Sequence, residues 1–218
     1  MNTLKLVKQE RGPESALEYT PLVTIYADAS CLRNGFPDAS AGCGAVIIDR
    51  NRMELKLVAK YLPGGITNQK AEILACVLAL RELRRPCRVE MFSDSMYVID
   101  AMNGKNRMKT NRPFWSDLIE ASNGHHVTWR WMKGHDGVTF QEAADRLARA
   151  ASSAKTDLAA EDLDFLAEHL SKESNQPSIR SFEIELDKIA SRYEMVGGNP
   201  GRAQGLARPA AFPSAFSA

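Results

Sequence analysis

Four acidic side chains stand where they could do chemistry. Asp28 closes the apolar run "LVTIYAD", Glu72 lies in "NQKAEILACVLAL", Asp94 in "MFSDSMYV" and Asp145 in "QEAADRLAR". Each also has an ordinary structural reading. Aspartate suits a strand-ending turn through its local backbone hydrogen bonds. Glu72, in the first turn of a helix, is favoured by the helix dipole. Asp94 stands at a good N-cap position, and Asp145 can pair with Arg149 one turn on. The four nevertheless share one kind of placement: a strand end, a helix start or a helical face of small residues, as where Glu72 adjoins Ala75, Cys76 and Ala79. Gathered at one end of a sheet they would repel one another unless hard cations neutralised them, and an all-oxygen donor set suits magnesium or manganese. Two such ions about 4 Å apart can activate a water and stabilise a leaving oxygen in phosphodiester hydrolysis.

The elements that must position these acids are legible in the pattern. "LVTIYAD", "AGCGAVIID" and "MELKLVAKYL" read as three strands of an antiparallel meander, with "RNGFPDASAG" as the first turn. The periodicity then changes to helical in "NQKAEILACVLALREL", with Asn68 available as its N-cap. "CRVEMF" reads as a strand feeding the helix "DSMYVIDAMN"; a basic turn "GKNRMKTNRP" follows, then a short helix "FWSDLIEAS". "HVTWRWMK" alternates as a strand, and its Trp129 and Trp131, like Trp115, read as core rather than as base-stacking residues. "TFQEAADRLARAAS" closes the series as a helix, giving an α/β layered domain.

The whole chain bounds the reading further. Its 218 residues suffice for one good core and an appendage. The net charge of +1 hides an asymmetry: residues 155–218 hold 7 Lys and Arg against 10 Asp and Glu, leaving 21 against 17 before them. A mildly basic front part permits contact with a phosphate backbone without requiring it. No signal-like or membrane-length apolar run is present, so the expectation is a cytoplasmic protein without a membrane partner. Cys31, Cys43, Cys76 and Cys87 lack C-x-x-C spacing and read as reduced structural thiols. The expected divisions are a polar arm over 1–20, a catalytic domain over 21–154, an acidic helical extension over 155–196 and a disordered tail over 197–218. Leu158, Leu163, Leu166 and Leu170 give the extension an incomplete apolar stripe.

Order and spacing together resemble type 1 ribonuclease H over about residues 20–154. "YADASC" is similar to that family's T-D-G-S-C strand and "TNQKAEILACVLAL" to its T-N-N-x-x-E-L-x-A helix. "FSDSMYV" resembles T-D-S-x-Y-V, and "WRWMKGHDG" with "QEAADRLARAA" resembles W-x-W-V-K-G-H-x-G with N-x-x-x-D-x-L-A-R. The resemblance implies a ribonuclease H-like α/β fold: a five-stranded mixed sheet, three strands antiparallel and two parallel, flanked by helices and here followed by a C-terminal helical extension. It implies that Asp28, Glu72, Asp94 and Asp145 bind two magnesium ions, with manganese as a substitute, and that His135 serves proton transfer or product release. The implied reaction is hydrolysis of the RNA strand of an RNA–DNA hybrid, leaving 3′-hydroxyl and 5′-phosphate ends. By the same match Asn34, Asn68 and Gln141 contact the minor groove or RNA sugars, Thr67 and Asn111 form a pocket for a DNA phosphate, and Ser95 supports Asp94.

The chain departs from that pattern at several places. Ala29 replaces a usual glycine, where its methyl could crowd the RNA backbone. Gln69 and Gln141 replace asparagines, and Gly65 stands where a phosphate-binding arginine is common. The basic handle is reduced to a loop with Lys105, Arg107, Lys109 and Arg112, read either as a weaker, salt-sensitive nucleic-acid contact or as a solvated loop. Alternatives to the leading reading are a related nuclease with another nucleic-acid substrate and a non-catalytic hybrid-binding module. A monomer is expected, with the extension open to an unknown protein partner.

Overall fold

A computed structural model describes residues 20–134, 139–173 and 179–196. The expected arm, apart from Thr20, and the expected disordered tail lie outside the described residues.

β1 (Leu22–Leu32), β2 (Ser40–Asp49) and β3 (Glu54–Leu62) form an antiparallel meander. β4 (Arg88–Ser93) then pairs parallel to β1, and β5 (His126–Trp131) parallel to β4, giving the order β3-β2-β1-β4-β5. The helices are α1 (Asn68–Arg81), α2 (Met96–Met102), α3 (Arg112–Ser122), α4 (Thr139–Ala154), α5 (Ala160–Glu173) and α6 (Arg180–Val196). This is the expected five-stranded mixed sheet with its C-terminal helices. β1 lies at the centre and runs four residues beyond Asp28.

Strand alternation splits the core in two. Val23, Ile25 and Ala27 of β1 join Cys43, Ala45 and Ile47 of β2 beneath α1, with Met91, Val98, Trp115 and Leu118. On the opposite face Val46, Ile48 and Leu57 pack against Ala143, Ala144 and Leu147 of α4. Gly42 and Gly44 point to this second face. A Cβ on Gly42 would come within 2.7 Å of the Ser152 amide nitrogen, and one on Gly44 within 2.6 Å of that of Ala148. Their lack of a side chain lets α4 lie directly on β2.

The extension completes the second core. Leu158, Leu166, Leu170, Ile179, Phe182, Leu186 and Ile189 are all buried there, so the leucine stripe is covered by the chain's own sheet and α4. The segment leading into α5 also satisfies the open edge of β3. The Leu158 amide donates to the Ala59 carbonyl (3.2 Å), while Asp157 accepts from the Tyr61 amide (2.9 Å) and the Lys60 ammonium (2.8 Å). An Arg146–Glu183 ion pair at 2.7 Å joins α4 to α6.

Three local expectations change. Thr67, not Asn68, holds the N-cap position of α1, so Glu72 begins the second turn and not the first. Ser95 holds the N-cap of α2, which frees Asp94 from that role. Trp115 is core, but Trp131 is 49% exposed, because β5 is the edge strand and its end runs past the helices that cover Val127 and Trp129. No helix among the described residues is long and apolar enough to cross a membrane.

Candidate functional site

Three of the four acids meet. Carboxylate oxygens of Asp28, Glu72 and Asp94 lie within 4.8 Å of one another. Each arrives on a separate element: Asp28 on the central strand, Glu72 on α1 above the first face, and Asp94 one residue past the end of β4. Parallel pairing of Tyr26 with Phe92, reinforced by stacking of their rings at 5.0 Å, sets the ends of β1 and β4 side by side.

Burial makes the cluster electrostatically costly. The Asp28 carboxyl is raised to about 7, first by burial and then by the charges of Asp94 and Asp145; the Ala29 amide (2.7 Å) and the Gln141 side-chain amide (3.0 Å) pull it the other way by donating to it. Glu72 is raised to about 9, again mainly by burial, then by Asp28 and Asp94. Its Oε1 accepts from Asn68 Nδ2 at 3.4 Å, while its buried Oε2 has no hydrogen-bond partner among the described residues. A buried carboxylate oxygen without a donor is a place where a cation belongs.

Asp145 stands apart from the group of three, though close enough for its charge to act on Asp28 and Glu72. Its Oδ1 accepts from Arg149 Nε at 2.8 Å, the helical pairing its spacing allowed. His135 lies outside the described residues.

The expected nucleic-acid contacts divide. Asn34 reaches from the turn after β1 to accept the Asn68 backbone amide (3.2 Å), so it caps the start of α1 where Thr67 makes no side-chain cap. Asn34, Asn68 and Glu72 thus form a continuous chain from loop to acid. Asn111 takes a left-handed conformation at the start of α3 and donates through Nδ2 to the Tyr97 hydroxyl (3.1 Å). Ser95 donates its amide to Ser93 Oγ (3.1 Å) at the turn that presents Asp94. Gln141 is buried and donates its side-chain amide to Asp28. Ala29 points to the first face, where it packs against the core. In the basic loop Lys105 pairs with Asp100 at 3.3 Å, Met108 anchors to the first core, and Arg107, Lys109 and Arg112 are exposed.

Reading the sequence missed the pair that sets the height of α4 over the acids, Gly42 and Gly44. The signal available was two glycines within a strand, which marks close backbone approach.

A family model described as RNase H matches residues 20–153. The chain is 38% identical over 146 residues to a ribonuclease H of Phenylobacterium zucineum (strain HLK1), covering 60% of this chain and 90% of that protein. It is 34% identical over 146 residues to a ribonuclease H of Lachnoclostridium phytofermentans, covering 60% of this chain and 91% of that protein. Among solved structures it resembles LC9-RNase H1, described as a type 1 RNase H with the type 2 active-site motif. That likeness has a TM-score of 0.55 and 30% identity, covering 63% of this chain and 75% of the other. LC11-RNase H1, solved in complex with an RNA/DNA hybrid, shares the fold at a TM-score of 0.53 and 23% identity, covering 61% of this chain and 98% of that one.

Proposed function

The chain belongs to the ribonuclease H family, and from that premise we propose that it hydrolyses the RNA strand of RNA–DNA hybrids with two divalent cations, leaving 3′-hydroxyl and 5′-phosphate ends. The observation that supports this most is the convergence of Asp28, Glu72 and Asp94 within 4.8 Å.

The residues fit the cations. Carboxylates raised by burial and mutual repulsion, one with a partnerless buried oxygen, are stabilised when a hard divalent ion replaces the missing donors. Magnesium satisfies that donor set, as does manganese. When bound, the cations supply an activated water and neutralise charge on the scissile phosphate.

The chain's own residues supply orientation. Asp28, close to Glu72 and Asp94 and hydrogen-bonded to Gln141 of α4, would with them hold the cations. The Gln141 amide and the Ala29 amide each fix one Asp28 oxygen, so the carboxylate cannot rotate freely. Asp145 completes the site from α4, in exchange for its pairing with Arg149. Asn34 and Asn68 present amide groups beside Glu72 that can read 2′-hydroxyls, which separates RNA from DNA without reading sequence. Thr67 and Asn111 would help form a pocket for a DNA phosphate, Ser95 supports Asp94, and His135 serves proton transfer or product release.

The test is a labelled hybrid incubated with magnesium, beside duplex DNA, duplex RNA and single strands. Cleavage confined to the RNA of the hybrid, abolished in Asp94→Asn, is expected. No cleavage by the wild type, or undiminished cleavage by Asp94→Asn, refutes the proposal; preference for another substrate arm shows a related nuclease.

A further inference from the structure

Asp94 is gripped from two sides by the end of β5. The parallel pairing of β4 with β5 runs through Ser93 and Trp131, where both strands finish, and the Met132 amide adds one more bond to the Ser93 carbonyl at 3.1 Å. Beyond that point no ladder continues. The next carbonyl, that of Asp94, is instead met by a side chain: the Trp131 indole N–H donates to it at 3.0 Å. With 49% of Trp131 exposed, burial is a poor reason for so large an aromatic here. The hydrogen bond to the Asp94 peptide is a better one.

Three residues on, the chain passes the Asp94 carboxylate itself. A Cβ on Gly134 would lie 2.5 Å from Asp94 Oδ2 and 3.4 Å from its Cγ. Gly134 is not among the positive-φ glycines, so its backbone does not demand glycine. The space does. With an alanine there the carboxylate, as the free end of a side chain, must leave its present position beside Asp28 and Glu72.

We propose that Trp131 and Gly134 are positioning residues that hold Asp94 in the acid cluster, Trp131 by anchoring its peptide and Gly134 by leaving room for its carboxylate. This rests on the cation-binding reading above. The grip is local: it fixes one ligand of a site whose other members come from β1 and α1. Partners that orient metal ligands commonly contribute 10- to 100-fold in affinity, an order-of-magnitude guide.

The experiment is manganese titration of the full-length protein by calorimetry, with thermal unfolding in chelator as the fold control. Gly134→Ala is expected to weaken manganese binding at least about tenfold, with its unfolding temperature unchanged. Trp131→Phe, which keeps an aromatic side chain but removes the indole N–H together with its five-membered ring, is expected to weaken it about threefold to tenfold. Because both act through Asp94, Gly134→Ala added to Asp94→Asn is expected to cause no further loss. Wild-type affinity in both variants overturns the proposal, and so does a Gly134→Ala loss that adds fully to that of Asp94→Asn. If Gly134→Ala unfolds, Trp131→Phe alone decides. A wild-type protein that binds no manganese refutes the cation-binding reading itself, a result distinct from intact binding in the variants.

Discussion

Asp28→Asn should abolish cleavage and at the same time stabilise the metal-free protein above neutral pH. Asp28 is raised from 3.8 to about 7 in the folded state. Below about pH 4 both the folded and unfolded chains hold the proton, and the group contributes no difference. As pH rises toward 7 the unfolded chain releases its proton while the folded chain keeps it, so stability falls throughout that window. Above it the folded chain must carry the charge at full cost. Three pH units at about 1.4 kcal/mol each set an upper bound of about 4 kcal/mol; allowing for relaxation and residual water, about 2 kcal/mol is expected. Glu72 acts in the same direction, since Asp28 is one of the charges that raise it.

Asparagine is tolerated for a specific reason. Its Oδ1 can still accept the Ala29 amide. Its Nδ2 would face the donor of Gln141, but a flip of Gln141 presents the buried Oε1, which has no partner among the described residues. The assay is thermal unfolding in chelator at several pH values. For a chain of this size about 2 kcal/mol corresponds to roughly 4–8 °C. The gain should be present near pH 8 and absent near about pH 4, and added magnesium should stabilise the wild type more than the variant. A variant no more stable than the wild type near pH 8, or a gain independent of pH, refutes the reasoning.

Other substitutions probe the frame. Phe182→Ala removes a fully buried side chain of the second core and should cost about 3–5 kcal/mol in urea unfolding; a loss under about 1 kcal/mol would show that α6 does not pack there. Ending the chain at residue 155 should uncover the β3 side of the second core and the outer face of α4 together with the β3 edge, and cause aggregation in light scattering. Gly44→Ala should destabilise by about 3 kcal/mol, because the added methyl would meet backbone atoms of Ala144 and Ala148 in α4 that cannot swing aside as a side chain can, and should lower kcat by shifting α4. Ala29→Gly should leave hybrid affinity unchanged and slightly lower stability, since the methyl packs on the first core; tighter hybrid binding would restore the idea that it crowds the RNA backbone.

Residues alone determined the strand and helix order, the sheet class and the four acids, because alternation, helical periodicity and turn chemistry are local properties of the chain. Local chemistry also suggested an N-cap for Asp94 and an ion pair for Asp145, and it could not decide between them and a shared site. Tertiary structure answered each in its own way: Ser95 took the cap and Asp94 lies with Asp28 and Glu72, while Asp145 pairs with Arg149 and stands close enough for its charge to act on Asp28 and Glu72. The extension shows the same division. Its leucines announced an apolar stripe, but only the fold shows that β3 and α4 are what this stripe covers. The contacts that Gln141, Trp131 and Gly134 make were beyond sequence reading for one reason. Each gains its meaning from a partner far away in the chain, and which atoms meet across such distances is fixed by packing, not by neighbours in sequence.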